Sequence, residues 1–157
     1  MSEELSAGSK SPSFNITTSK GRNVTLEDFQ GSNLVIFFYP KDNTPGCTTE
    51  AIDFTQNFDD FQDSNTQILG ISKDSLKKHE NFINKHSLGT ELGSDESGEM
   101  CEAFGVWKEK KNYGKTYMGI ERSTFLIDKK GIISKVWRKV RVKGHVEDVL
   151  SEAKSLA

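Results

Sequence analysis

The sequence predicts an α/β fold around a central β-sheet of mixed direction, and three features of the chain predict it. Residues 33–39 form a continuous apolar run, typical of a central strand that is covered on both faces. Segments with strand periodicity alternate with segments of helix periodicity along most of the chain. A turn at residues 128–131, between two apolar segments, indicates a hairpin and therefore antiparallel strands.

Each element follows from its local pattern. Strands are expected at residues 14–17, near 24, and at 33–39, 67–72, 122–127 and 132–142. Helices are expected at residues 45–62, 75–85, from 94–95 to 104, and at 146–156. A helical turn at 25–28 is closed by Gly31. Strands alternating with helices, then a hairpin and a last helix, is the thioredoxin-like order.

Length and composition favour a single domain over residues 1–157, with an ordered core from about residue 8. The formal net charge is −2, so bulk charge indicates neither nucleic acid nor an anionic membrane as a partner. The first ten residues lack the basic and apolar segments of a signal peptide. No apolar run approaches the ~20 residues of a membrane span.

Two cysteines do not make a secreted disulfide framework, so we expect a cytoplasmic protein.

Cys47 is the most informative residue, because it lies where the strand 33–39 gives way to a helix. Thr44 suits the N-cap of that helix and Pro45 its first position. The Cys47 amide then has no acceptor within the helix, and the helix terminus favours a thiolate. Gly46 leaves room for a small substrate to approach the backbone. A buried, inert cysteine is the alternative, which this context disfavours.

A fast thiol reaction also needs charge to be stabilised on the atom that sulfur displaces. The Thr44 hydroxyl, the Cys47 amide and a guanidinium would do this for a peroxide, whose O–O bond breaks as sulfur attacks. Arg122 is the candidate guanidinium, because it begins a strand that can lie beside residues 33–39. From spacing alone, a solvated or salt-bridged arginine is the alternative.

Residues 39–50, Tyr-Pro-Lys-Asp-Asn-Thr-Pro-Gly-Cys-Thr-Thr-Glu, resemble the active-site motif of peroxiredoxins. Further blocks at 105–107, 114–117 and 122–128, and a weaker one at 142–145, resemble the bacterioferritin comigratory protein (Bcp/PrxQ) subfamily. The resemblance extends from about Gly8 to the C-terminus. It implies a thioredoxin-like peroxiredoxin fold and an antioxidant thiol peroxidase that needs no cofactor and no metal.

The resemblance also implies a role for each residue of the motif. Cys47 would attack hydrogen peroxide or an organic hydroperoxide and become a sulfenic acid. Thr44 would hydrogen-bond the peroxide oxygens, and Pro40 would shield the thiolate from water. Arg122 would stabilise the thiolate and polarise the O–O bond, oriented by Glu50.

The chain departs from its subfamily at the resolving cysteine, which many members carry five residues after the peroxidatic one. Ile52 stands at that position, so a disulfide within this helix is ruled out. Cys101 is the only internal alternative, and its place beside Met100 and Phe104 favours a structural role. We therefore expect a one-cysteine cycle in which glutathione, glutaredoxin or thioredoxin reduces the sulfenic acid. The resemblance also favours a monomer.

Two further signals have simpler explanations. The lysine- and arginine-rich segment 129–143 fits a solvated strand better than a nucleic-acid patch, because residues 140–143 alternate like a strand with one wet face. Docking of an acidic reductant is a further hypothesis for this segment. His79, His86 and His145 are not at metal-ligand spacing, and we expect them at the surface or at helix ends.

One function of a different class stays open. The chain could be a redox sensor or binding module whose partner interface changes when Cys47 is oxidised. A sensor does not need transition-state groups around its thiol, so the combination of Thr44, Cys47 and Arg122 favours the peroxidase.

Overall fold

The computed structural model describes residues 5–156, apart from the side chain of residue 112. The expected domain also includes residues 1–4 and 157, which lie outside the described part. The strands are β1 (Asn15–Thr18), β2 (Asn23–Thr25), β3 (Asn33–Phe38), β4 (Thr66–Ser72), β5 (Glu91–Ser94), β6 (Trp107–Asn112), β7 (Lys115–Ile120), β8 (Ser123–Ile127) and β9 (Ile133–Trp137). The helices are α1 (Pro45–Gln56), α2 (Phe58–Asp63), α3 (Leu76–His86), α4 (Glu99–Ala103) and α5 (His145–Leu156), and a 3-10 turn spans Leu26–Phe29.

The central sheet has the strand order β2-β1-β5-β4-β3-β8-β9. β3 pairs in parallel with β4 and antiparallel with β8, so the predicted mixed direction is confirmed. β3 is buried along its whole length, as its continuous apolar sequence predicts. Strand, helix and turn positions therefore agree with the sequence pattern around the site, with differences at particular elements.

The side chains of β3 alternate between two hydrophobic clusters, one on each face of the sheet. On one face, which we call the α1 face, Val35 and Phe37 pack with residues of α1, α2, α3 and α5. On the other, which we call the α4 face, Ile36 and Phe38 pack with residues of α4 and of the 3-10 turn. The sheet thus separates two cores.

The helix expected at 45–62 is two helices, because the chain bends at Asn57. The Asn57 side-chain amide donates to the Asp53 carbonyl at 2.8 Å, which competes with regular helix propagation. The bend still leaves Phe54 and Phe61 fully buried on the α1 face. The predicted apolar stripe is therefore correct although the single helix is wrong.

β5 is missing from the predicted elements, and the ion pair of its buried Glu91 with the half-exposed Arg22 helps to explain why its polar sequence forms a strand. Arg22 contacts Glu91 with Nη2–Oε1 at 2.7 Å, and the Thr18 hydroxyl also bonds this carboxylate. Gly93 lies so close to Ile16 and Ile71 that a Cβ there would meet the Ile71 side chain at 2.7 Å. Both features depend on residues that are distant in sequence, so the local sequence pattern does not predict β5.

The β6–β7 hairpin is a second difference, and it forms a two-stranded sheet of its own. Its outer half is exposed, with Tyr113 97% exposed at the tip. The expected strand at 132–142 instead ends at Trp137, because the chain turns at Lys139, whose φ is +49°. The segment 140–143 is therefore not a strand, and the solvated-strand interpretation of it is wrong.

Within residues 5–156, helices fall short of the length and apolar character that crossing a membrane requires.

Candidate active site

Cys47 lies in the first turn of α1, at the end of the loop that follows β3. Thr44 is the N-cap residue and Pro45 the first helical residue, as the sequence predicts. The Thr48 amide donates to the Thr44 carbonyl at 2.8 Å, which is the first turn of the helix. Cys47 itself is 1% exposed and packs on the α1 face with Ala51 and Phe54. Cys47 is therefore held at the N-terminus of α1 and is almost completely shielded from solvent.

The Arg122 guanidinium contacts both Cys47 and Glu50. Its Nη2 donates to Cys47 Sγ at 3.2 Å, and its Nη1 donates to Glu50 Oε1 at 2.7 Å. The backbone of Arg122 lies between β7 and β8, where its carbonyl accepts a 3.0 Å hydrogen bond from the Val140 amide. Arg122 therefore does lie beside Cys47, which spacing alone left open. Glu50 binds the other nitrogen of its guanidinium group.

Gly46 has a different role in the geometry from the one expected. A Cβ at this position would lie 3.2 Å from Arg122 Nη2, which is a tight contact. The open side of Gly46 therefore accommodates the guanidinium, so that Arg122 can lie across the helix N-terminus beside Cys47.

Burial and charge act against each other in this cluster. Burial raises the pKa of Glu50 to about 7, although the charge and hydrogen bond of Arg122 oppose the shift. Burial tends to lower the pKa of Arg122, but Glu50 and Cys47 outweigh it and the pKa is raised. The guanidinium is therefore permanently charged, while its carboxylate partner is close to titration at neutral pH.

Thr44 and Pro40 both lie in the loop between β3 and α1. Thr44 is the N-cap by position, but its hydroxyl does not cap the helix; it donates to the Lys41 carbonyl at 2.8 Å. The hydroxyl oxygen consequently keeps lone pairs that can accept a hydrogen bond from a bound molecule. Pro40 lies two residues after the end of β3 and is exposed. Its role as a shield stays a prediction.

Cys101 lies on the other side of the sheet from Cys47. It is fully buried on the α4 face, whereas Cys47 belongs to the cluster on the α1 face. Burial, with Asp95 close by, raises the pKa of Cys101 well above the ordinary range. Ile52, which stands where the subfamily has a resolving cysteine, packs partly buried on the α1 face. The Cys101 thiol is therefore buried on the far face of the sheet from Cys47, and position 52 carries no thiol.

Sequence reasoning misplaced one of the three histidines and missed a lysine. His79 is fully buried within α3. His145 is the first residue of α5 and His86 lies in the last turn of α3, so both are at helix ends as expected, although His145 is also buried. Lys110 of β6 is close enough for Arg122 to help burial lower its pKa, an effect that Cys47 opposes. The hairpin thus reaches the site, although its sequence carries no signal of this.

His145 and Glu50 give stability opposite dependences on pH. Burial lowers the pKa of His145 from 6.5 to about 4. Between these values the unfolded chain binds the extra proton, so the free energy of unfolding rises with pH, by about 3 kcal/mol in total. The pKa of Glu50 is raised from 4.5 to about 7, so here the folded chain binds the extra proton. The contribution of Glu50 to the free energy of unfolding therefore falls as the pH rises from 4.5 to about 7.

We expect Glu50→Gln to remove the falling contribution and expose that of His145. The free energy of unfolding of this variant should rise with pH between pH 4 and 6.5 by about 3 kcal/mol more than that of Glu50→Gln/His145→Gln. Urea unfolding at several pH values measures the free energy of unfolding of both variants. Parallel pH curves for the two variants would contradict the assignment.

Comparisons with known proteins agree with this geometry. The AhpC/TSA family model matches residues 7–136. Peroxiredoxin Bcp of Bacillus subtilis is 48% identical over 153 residues, covering 98% of each chain. The structure of Xanthomonas campestris bacterioferritin comigratory protein aligns with a TM-score of 0.86 at 46% identity and 90% coverage of each chain. That of Xylella fastidiosa PrxQ aligns with a TM-score of 0.92 at 39% identity and 98% coverage of each chain.

These similarities confirm the thioredoxin-like fold that the order of elements predicts. They extend over nearly the whole length of this chain and of its relatives, so they apply to the whole domain and not to a shared motif alone. The chain therefore belongs to the AhpC/TSA family, in its Bcp/PrxQ branch, and is a peroxiredoxin, a peroxidase that uses a thiol.

Proposed function

We propose that Cys47 is the peroxidatic thiol and that it reduces hydrogen peroxide and organic hydroperoxides. The Cys47 thiolate attacks one peroxide oxygen, an S–O bond forms and the O–O bond breaks. The sulfur becomes a sulfenic acid, and the displaced hydroxide or alkoxide takes up a proton to leave as water or an alcohol. The Xanthomonas campestris relative is described as having alkyl peroxide reduction activity, which supports the organic substrate class.

The Arg122 contact with Cys47 Sγ, at 3.2 Å, is the observation that carries this proposal. A guanidinium at that distance stabilises the thiolate before attack. During attack the negative charge moves from sulfur to the departing oxygen, and a fixed cation beside the reaction stabilises it without reorganisation. Glu50 keeps Arg122 in place, since the 2.7 Å ion pair is buried.

Thr44 would orient the peroxide. Its hydroxyl proton is used by the Lys41 carbonyl, so the oxygen is free to accept a hydrogen bond from the O–H of a hydroperoxide. The unpaired amides of the first turn of α1 would donate to the oxygen that leaves. Pro40, before this turn, would limit the access of water to the sulfur.

We further propose a one-cysteine cycle in which an external thiol reduces the sulfenic acid. Cys101 is buried on the α4 face with the sheet between it and Cys47, and Ile52 replaces the nearby cysteine of many relatives. The external thiol attacks the sulfenic sulfur and releases water, and a second thiol then reduces the mixed disulfide. Glutathione, glutaredoxin and thioredoxin supply this chemistry, and one chain suffices for it, so we expect a monomer in sedimentation.

Chemical trapping tests both proposals. Wild type and Cys101→Ala are given one equivalent of hydrogen peroxide, treated with dimedone and mapped by mass spectrometry. We expect the sulfenic adduct on Cys47 in both proteins, and equal peroxide consumption with dithiothreitol as reductant. A Cys47–Cys101 disulfide in wild type would overturn the one-cysteine cycle. An adduct elsewhere would overturn the assignment of Cys47.

A further inference from the structure

We propose that His79 is a positioning residue for peroxide reduction. Through Asp42 it holds the β3–α1 loop in the conformation from which Thr44 meets the peroxide. This inference rests on the proposed function, because it concerns the rate at which Cys47 reacts with peroxide. His79 lies on α3, outside the motif at 39–50.

Both ring nitrogens of His79 are engaged in the protein interior. Nε2 lies 2.9 Å from the Gly93 carbonyl oxygen, which can only accept, so Nε2 carries a hydrogen. Nδ1 lies 2.7 Å from Asp42 Oδ2, and the two share a proton. The side chains of His79 and Asp42 are 0% and 2% exposed. A short hydrogen bond in such a buried setting is strong and geometrically defined.

Asp42 makes two further contacts, one with Tyr39 of the same loop and one with Asp74, which follows β4. The Tyr39 hydroxyl donates to Asp42 Oδ1 at 2.6 Å. The Asp42 amide donates to Asp74 Oδ2 at 2.8 Å, and the Ser72 hydroxyl donates to the same oxygen at 2.7 Å. Asp42 is therefore the loop residue that joins the active-site segment to β4 and α3.

The loop passes directly from Asp42 to the substrate-binding hydroxyl. Lys41 precedes Asp42, and its carbonyl accepts the 2.8 Å hydrogen bond of the Thr44 hydroxyl. The position of Asp42 thus sets the position of the group that orients Thr44. Asn43, which separates Asp42 from Thr44, has a φ of +64°, so the loop makes a tight left-handed turn between the two residues.

Asp42, Asp74 and His79 also lie within 4.8 Å of one another, as the ligands of a metal ion would. However, both nitrogens of His79, both carboxylate oxygens of Asp42 and Oδ2 of Asp74 already take part in hydrogen bonds. A metal would have to displace the Gly93 carbonyl or the Asp42–His79 contact. The hydrogen bonding therefore favours a support for the loop over a metal site.

The His79 network shares no residue with the Arg122–Glu50 pair. Arg122 contacts the sulfur from the segment between β7 and β8, and Glu50 lies within α1, whereas His79 contacts the loop from α3. Loss of His79 should consequently slow the reaction with peroxide, which needs Thr44 in place. It should leave alkylation of Cys47 by iodoacetamide nearly unchanged, because alkylation needs only an accessible thiolate.

The test compares His79→Gln, Asp42→Asn and the double variant with wild type. Gln can reach only one of the two partners of His79. We expect the second-order rate constant with hydrogen peroxide to fall at least about ten-fold in each single variant, since small displacements of positioning groups cost this much or more. The double variant should be no slower than the slower single variant. Alkylation should change by less than about two-fold.

Leu88→Ala is the matched control, because Leu88 is buried just after α3 and takes no part in the network. It should lower the melting temperature but leave the peroxide rate unchanged. An unchanged peroxide rate in His79→Gln, an equal fall of both reactions, or an equal loss in Leu88→Ala would each overturn the proposal. If His79→Gln does not fold, Asp42→Asn decides by the same criteria. Mapping the alkylated residue in wild type shows whether Cys47 is the reactive thiol. This separates a failure of the His79 proposal from a failure of the Cys47 assignment.

Discussion

Replacing Cys47 with serine should remove peroxide reduction almost completely, with a loss of at least roughly 10⁴-fold. Serine has nearly the same shape, and its hydroxyl can still accept the Arg122 hydrogen bond that Cys47 Sγ accepts at 3.2 Å. A hydroxyl is hardly ionised at neutral pH, however, and does not attack an O–O bond at a useful rate. Consumption of hydrogen peroxide with dithiothreitol as reductant measures the effect.

The stability of Cys47→Ser should stay within about 1 kcal/mol of wild type, because the substitution leaves no cavity. This separates loss of chemistry from loss of fold. Cys101→Ala is the matched control, since it alters the other buried thiol, on the α4 face, and should keep full activity. Comparable peroxide consumption by Cys47→Ser and wild type would remove the peroxidase mechanism proposed for this thiol.

Arg122→Ala should lower kcat/KM for hydrogen peroxide by about 10²–10³-fold. The variant loses both the donor at Cys47 Sγ and the cation that stabilises the departing oxygen. It also leaves Glu50, which is 0% exposed, without the partner of its 2.7 Å ion pair. We therefore expect a loss of about 3 kcal/mol of stability as well, reduced to the extent that Glu50 takes up a proton.

The double variant Arg122→Ala/Glu50→Gln separates these two effects. A neutral amide at position 50 no longer leaves a buried charge, so stability should recover in part while activity stays low. Arg141→Ala removes an exposed arginine from the segment after β9 and controls for net charge. Recovery of activity in the double variant would mean that Arg122 acts through stability alone.

The parts of the fold that sequence predicts best are those with local causes. The continuous apolar run of β3 and the Thr44–Pro45 helix start place Cys47 correctly, because burial and capping act within a few residues. Arg122 was a candidate from its place at the start of a strand. Its contact with Cys47, 75 residues away in sequence, is a property of the β3–β8 pairing.

The parts that sequence does not predict depend on distant partners. β5 needs Arg22 to bury Glu91, and the two are 69 residues apart. His79 was expected at the surface or at a helix end, but it is buried against Asp42, which is 37 residues away. Neither pair leaves a periodic signal, since a buried polar group is stabilised by geometry and not by pattern. Polar residues in the interior are therefore where the structure adds most to the sequence.

Under the one-cysteine cycle proposed above, the sheet between the two cysteines also determines how the oxidised enzyme is reduced again. A tethered second thiol would collide with the sulfenic acid at an effective concentration that is roughly millimolar, whatever the surroundings. Without one, the lifetime of the oxidised sulfur depends on how much reductant the cell provides. A peroxide surge that outruns this supply drives the sulfur onward to the sulfinic acid, from which thiols do not recover it. In such a cycle, the lifetime of each active molecule is coupled to the reducing capacity around it.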